Sequence, residues 1–249
     1  MKTMTTLLSL ILLQSSAFAG SSTLPTADEA RQSHPDLAQH VAEFAPMRNR
    51  AGQLYIPGEW TLSPEAQALL LERFLGGTDA TDVRVALAYS LDDSHLFVWD
   101  DIQREADPEV RGALLHLAKA HRSLEGSALL VPALGDSSAW VRSEAARLAG
   151  YMPMTEGLEK ALLNGLVDST AKTRAMSARS LGWQNVEKAF DAIVPLLQDE
   201  NPEVIDHALR SLSTLDRART RTLPAVETLS QSPYPKIAAR AQALQRDVP

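Results

Sequence analysis

No cysteine occurs anywhere in the sequence, and that single absence removes disulfides, thiolate metal sites and a thiol nucleophile together. It also removes the lipid-modified cysteine that tethers many exported bacterial proteins to a membrane. Past the N-terminus, no apolar run approaches the roughly 20 residues that a membrane span needs. The signatures of common catalytic sites are missing as well. There is no His-Glu-x-x-His pair, no Gly-rich phosphate loop and no Gly-x-Ser-x-Gly elbow. The acidic loop around Asp92, Asp93, Asp100 and Asp101 lacks the alternation and central glycine of a calcium site. Basic residues are outnumbered, 24 against 31 acidic, so the overall positive field of a nucleic-acid binder is absent too.

What the N-terminus does contain is ordered. Lys2 precedes the apolar run Leu7–Leu13, and Ala17-Phe18-Ala19 follows it. A basic start, a short apolar core and an Ala-x-Ala ending form the three parts of a secretory signal peptide. Cleavage after Ala19 is therefore expected, with residues 1–19 excluded from the fold. The mature chain would then be exported, to the periplasm or the medium, with no membrane insertion. It would keep 23 basic and 31 acidic side chains, since Lys2 is the one charge lost.

The rest of the chain repeats itself. An Asp-marked turn followed by a β-branched residue and Arg appears as Asp107-Pro-Glu-Val110-Arg111, Asp136-Ser-Ser-Ala-Trp-Val141-Arg142 and Asp168-Ser-Thr-Ala-Lys-Thr173-Arg174. Val83-Arg84 precedes them, while Asp199-Glu-Asn-Pro-Glu-Val204 and Pro235-Lys-Ile237 follow. Successive β-branched positions lie 27, 31, 32, 31 and 33 residues apart. A period near thirty marks one supersecondary unit stacked on copies of itself.

Each unit reads as two helices. Ser63-Pro64-Glu65 opens the first, with Ser as N-cap and Pro at the first helical position. Later first helices are predicted over 96–106, 124–134, 156–167, 186–198 and 222–230. Second helices are predicted over 83–91, 108–120, 139–150, 172–182, 202–215 and 236–246. Taking the β-branched residue as position zero, positions +4 and +5 hold Leu114, Ala145, Ala146, Ala178, Ala208 and Leu209. Positions +7 or +8 hold Leu117, Leu148, Leu181 and Leu212. At about 100° per residue these share one face, with small side chains where helices must approach closely. Residues 20–62 stand outside this pattern. One or two short helices interrupted at Pro35 and a short strand near Leu54-Tyr55 are expected there, as a flexible segment or cap.

The Asp-x-x-x-x-Val-Arg turn and the Ala- and Leu-rich helix after it resemble HEAT repeats, especially the short HEAT-like repeats of the phycobilin-lyase type. The resemblance covers about residues 63–246 and is strongest over 107–214. It implies an all-α, right-handed α-solenoid of about six helix pairs, armadillo-like, with second helices lining the concave face. It implies little about activity, because functions differ widely within one fold. Ile205 and Ala238 stand where the pattern has Arg. HEAT-type hydroxylases use paired His-Glu dipeptides at a di-iron centre, and no His-Glu dipeptide occurs here.

Two sets of residues compete for a functional role. Arg84, Arg111, Arg142 and Arg174 recur beside position zero, where each could reach the turn carboxylates Asp107, Asp136, Asp168 and Asp199. Their repetition at one geometric place favours a structural role over an anion-binding ladder. Position +6 holds Tyr89, His116, Arg147, Arg179 and Arg210, opposite the buried stripe. Three arginines in successive repeats would line up about 10 Å apart and could receive an acidic peptide. The plainer alternative is a solvated face with local pairs, Glu144 with Arg147 and Asp206 with Arg210. Trp99, Trp140 and Trp183 are expected in the core or turns, and Trp60 against the first helix pair.

The sequence therefore predicts an exported scaffold that is not an enzyme, with no catalytic residue, cofactor or metal and no nucleic-acid partner. It would bind a protein or peptide through Tyr89, His116, Arg147, Arg179 and Arg210. The alternative is a lyase-like enzyme or enzyme-associated chaperone of the phycobilin-lyase type. N-terminal mass spectrometry of the exported product is expected to begin at Gly20; an intact Met1 would refute the leader.

Overall fold

The computed structural model describes residues 25–48, 54–56, 63–91, 99–120 and 124–246. The expected leader, Trp60, Asp92 and Asp93 lie outside them, as does the Trp99 side chain. Internal contacts divide the chain into two compact units, Met1–His121 and Arg122–Pro249.

In the first unit, α1 (Ala27–Ser33) and α2 (Pro35–Glu43) break at Pro35, as the sequence predicts. A Thr26/Glu29 capping box opens α1, so two amide donors that the helix cannot use are satisfied reciprocally. A two-residue antiparallel ladder pairs β1 (Met47–Arg48) with β2 (Leu54–Tyr55). Helices α1 and α2 both pack on α3 (Pro64–Gly76). Arg73 fastens α2, donating to the Val41 carbonyl and stacking 4.3 Å from the Phe44 ring centroid. Ser63 caps α3 by accepting from the Ala66 amide, and Gly77 ends it at φ 67°, a left-handed conformation suited to glycine. Next come α4 (Thr81–Ser90), α5 (Trp99–Ile102), α6 (Pro108–Leu114) and α7 (His116–Ala120). The predicted helix 108–120 is thus split at Leu115, where Ala118 donates to Leu115 in a tighter i→i+3 turn.

The second unit carries α8 (Leu124–Ala133), α9 (Ala139–Ala149), α10 (Glu156–Gly165) and α11 (Ala171–Trp183). These are followed by α12 (Phe190–Ile193), α13 (Pro202–Leu215), α14 (Arg217–Arg221), α15 (Pro224–Leu229) and α16 (Pro235–Arg246). The predicted helix 186–198 is a composite, with 3-10 turns at Glu187–Ala189 and Val194–Gln198 around α12. Pro195 explains the second turn, since it has no N–H to donate and its ring crowds the preceding carbonyls. The five-residue α14, capped by Asp216, falls in a stretch the sequence reading left as a connection.

The second helices α9, α11, α13 and α16 pack one on the next in chain order. The side chains singled out from the sequence at +4, +5, +7 and +8 are all buried. Contact is closest between α11 and α13: a Cβ built on Gly182 would stand 2.7 Å from the Ser211 Cα. Hydrogen bonds cross the α9–α11 seam as well. Ser180 Oγ donates to the Ala146 carbonyl at 2.6 Å, and Gln184 Nε2 donates to the Gly150 and Met152 carbonyls.

The recurring Asp and Arg lock this stack at its turns. Arg142 sends Nη1 back to the Asp136 and Ser137 carbonyls, while Nε and Nη2 grip both Asp168 oxygens at 2.7 and 3.0 Å. Arg174 repeats the arrangement with the Asp168 and Ser169 carbonyls and both Asp199 oxygens. Each carboxylate also accepts from the amide two residues on, Asp168 from Thr170 and Asp199 from Asn201. One guanidinium therefore joins two successive turns, a task its planar fork suits. The Arg174 hydrogen bond holds the Asp199 carboxyl below its usual range. Burial pushes Asp168 up, but Arg142 and the Thr170 amide outweigh it, so that group is lowered too.

Two outcomes test this account. Gly182→Ala gains about 1 kcal/mol of helix propensity yet forces a methyl group against Ser211. Urea denaturation is expected to show a net loss of about 1–3 kcal/mol; a gain would mean the seam has slack. Because folding lowers the Asp168 and Asp199 pKa values, their contribution is complete above the unfolded carboxylate value of about 3.9 and is lost as pH falls from there through the lower folded-state values. Asp199→Asn is therefore expected to flatten the loss of stability below about pH 4, read as melting temperature against pH.

Candidate functional site

With one face of each second helix buried, the opposite face carries whatever differs between repeats. At about 100° per residue, positions −1, +3, +6 and +10 fall within one 60° sector away from the core. In the second unit these are Trp140, Glu144, Arg147 and Tyr151 on α9 and the turn after it, then Lys172, Met176, Arg179 and Trp183 on α11. Helix α13 supplies Glu203, His207, Arg210 and Thr214, and α16 supplies Lys236, Arg240 and Ala243, its +10 position lying outside the described residues. Six of these side chains are basic and two acidic, opposite in balance to the whole chain.

The five sequence-predicted residues do not behave alike. In the first unit Tyr89 and His116 meet edge to face, with ring centroids 5.5 Å apart. In the second, Arg147 is held by Glu144 on its own helix at 2.7 Å, and Arg210 lies 3.5 Å from Asp206. The local pairs weighed from the sequence are thus present. Arg179 is different: its Nη2 donates to Tyr151 Oη at 3.3 Å, and its guanidinium lies 4.8 Å from the Trp183 ring centroid. Tyr151 and Trp183 are themselves 5.2 Å apart.

Trp140 and Trp183, expected in the core or turns, are instead 47% and 56% exposed on this face. Tyr151 joins them, and sequence reasoning did not single it out. The signal was available, because +10 shares the sector of +6, but the reading stopped at +8 where the buried stripe ends.

A groove of about 440 Å³ lies between the first turns of α13 and α16, bordered by Pro202, Asp206, His207, Tyr234, Lys236 and Ile237. Asp206 stands where the ladder has lost its arginine to Ile205. It accepts from Arg240 and Lys236 at 3.0 and 2.9 Å, so α16 is held by an acid on α13 in place of an arginine. Burial raises the Asp206 pKa, and the hydrogen bond from Lys236 and the charge of Arg240 bring it below the usual value. His207 is lowered chiefly by burial, which disfavours its charged form, and its Nδ1 is buried without a hydrogen-bond partner. Among the described residues no group of three or more His, Asp or Glu is placed to hold a metal ion.

Stacked helix pairs with a uniform buried face and a variable outer one define an all-α repeat protein of the α-solenoid class. A family model for HEAT repeats matches residues 158–245. The match is to HEAT repeats in general and does not single out the phycobilin-lyase type. No curated protein matches the sequence. Among solved structures the chain is similar to human deoxyhypusine hydroxylase in complex with glycerol, at 17% identity and a TM-score of 0.39, covering 92% of this chain and 81% of that one. That neighbour is an enzyme, which corrects the expectation that this chain is not one: a repeat frame of this kind is no ground for ruling out catalysis. At this level of likeness it assigns the chain no reaction and no substrate.

Proposed function

We propose that this protein is an exported HEAT-repeat scaffold that binds a protein or peptide partner along the second-helix face of residues 139–246. One observation carries the reading: Trp140 and Trp183 stand about half exposed on the same sector as Arg147, Arg179 and Arg210. Tryptophan, tyrosine and arginine are the side chains that dominate binding energy at protein interfaces. Leaving two indoles in water forgoes the burial their surface could gain, which a partner would recover. Export rests on the three-part N-terminus. The excess of positive charge on this face favours an acidic partner.

The reading is tested by a Trp140→Ala, Trp183→Ala double variant. Both side chains are exposed, so the variant is expected to melt within about 0.5 kcal/mol of wild type for each site. It should nevertheless lose the partner that immobilised wild type retains from periplasmic extract, with the loss repeated on the purified partner. Equal retention by both proteins would remove this face from consideration.

A further inference from the structure

The arginines of the second unit differ in what neutralises them. Arg142 and Arg174 each hold a carboxylate with two nitrogens, Glu144 pairs with Arg147, and Arg210 shares Asp206 with Lys236 and Arg240. Arg179 is surrounded by neutral groups. Tyr151 Oη accepts from it, the Trp183 ring lies under it, and Met176 Sδ stands 3.8 Å from Nη1. Among the described residues no carboxylate lies within ion-pair distance of this guanidinium.

The arrangement is pre-organised. Met176 is buried beneath it at 3% exposure, and the Tyr151 and Trp183 rings are tilted 59° to one another. Stacking on an indole stabilises a cation but leaves its charge in place. A partly buried guanidinium fixed in this way has already lost side-chain freedom, so a carboxylate docking on it gains the ion pair at a reduced entropy cost. The remaining basic residues of the face supply a field of the right sign.

We propose that Arg179, framed by Tyr151 and Trp183, receives an Asp or Glu carboxylate from an acidic peptide segment of the partner, with the adjoining peptide residue lying on the exposed Trp183 ring. This names the chemistry of the partner and rests on the second-helix face being the binding surface. The ladder arginines cannot take this role, because their forks are already filled by Asp168 and Asp199.

The probe is a phage-displayed library of random twelve-residue peptides, panned against the full chain. Wild type is expected to enrich peptides that carry Asp or Glu beside an aromatic or aliphatic residue. The best of them, synthesised with a fluorescein label, should bind about 10- to 100-fold more weakly to Arg179→Gln. Arg179→Lys should restore only part of this, since lysine keeps the charge and loses the fork. Replacing the peptide's acid by its amide should weaken binding to wild type and add nothing on Arg179→Gln, the signature of a direct pair. An enriched class without acids, or an acidic peptide equally tight on Arg179→Gln, overturns the proposal. Peptides released by the Trp140→Ala, Trp183→Ala variant but indifferent to Arg179→Gln would keep the face and remove the carboxylate pairing. A library yielding no peptide sensitive to the two tryptophans would overturn both.

Discussion

Helices that repeat with small residues at their contacts can approach until backbone meets side chain, and the Gly182–Ser211 seam is where this chain does so. Nothing larger than hydrogen fits there without moving a neighbour, so the register of α13 on α11 is set by contact and not by average hydrophobicity. The turns then fix the angle of approach. Arg142 and Arg174 bind their own turn by two carbonyls and the next turn by a carboxylate, so one side chain satisfies the backbone and spaces the repeats at once. The partly buried setting makes these bonds stronger than surface ion pairs, and removing one partner would leave the other charge exposed to the cost of burial.

A frame held in that way leaves its outer sector free to vary. Apart from the arginine that recurs at +6, positions −1, +3 and +10 of the second helices in the second unit contain aromatic, basic, acidic and sulphur-containing side chains with no repeated pattern. Variation where geometry makes no demand is what a recognition surface requires, because each repeat can contribute a different contact. The exception to the ladder fits the same logic. Once Ile205 replaces the arginine, the last seam is closed by Asp206 with Lys236 and Arg240, and a groove opens beside it.

The helix pairs were legible because their period, caps and small-residue spacing are local patterns in the chain. Ser63-Pro64 and Asp107-Pro108 mark helix starts for reasons that involve no distant residue. The departures have local causes as well, such as Pro195 in the composite helix. The candidate site was half legible. Position +6 marked the correct sector, but the sequence treats Arg147, Arg179 and Arg210 as three equal arginines. Only packing distinguishes the one that stacks on Trp183 and donates to Tyr151 Oη from the two with carboxylates on their own helices. The indoles were misplaced because large aromatics are usually buried, and hydrophobicity alone does not report on which side of a helix a tryptophan stands.

By itself, the sequence determined an all-helical repeat, its turn chemistry and the sector that faces away from the core, since each follows from spacing along one chain at a fixed angle per residue. The tertiary structure alone decided which of the three +6 arginines stands beside no carboxylate and brought the Tyr151 hydroxyl to it. Tyr151 lies 28 positions from Arg179 along the chain, and their distance is set when one helix settles against the next.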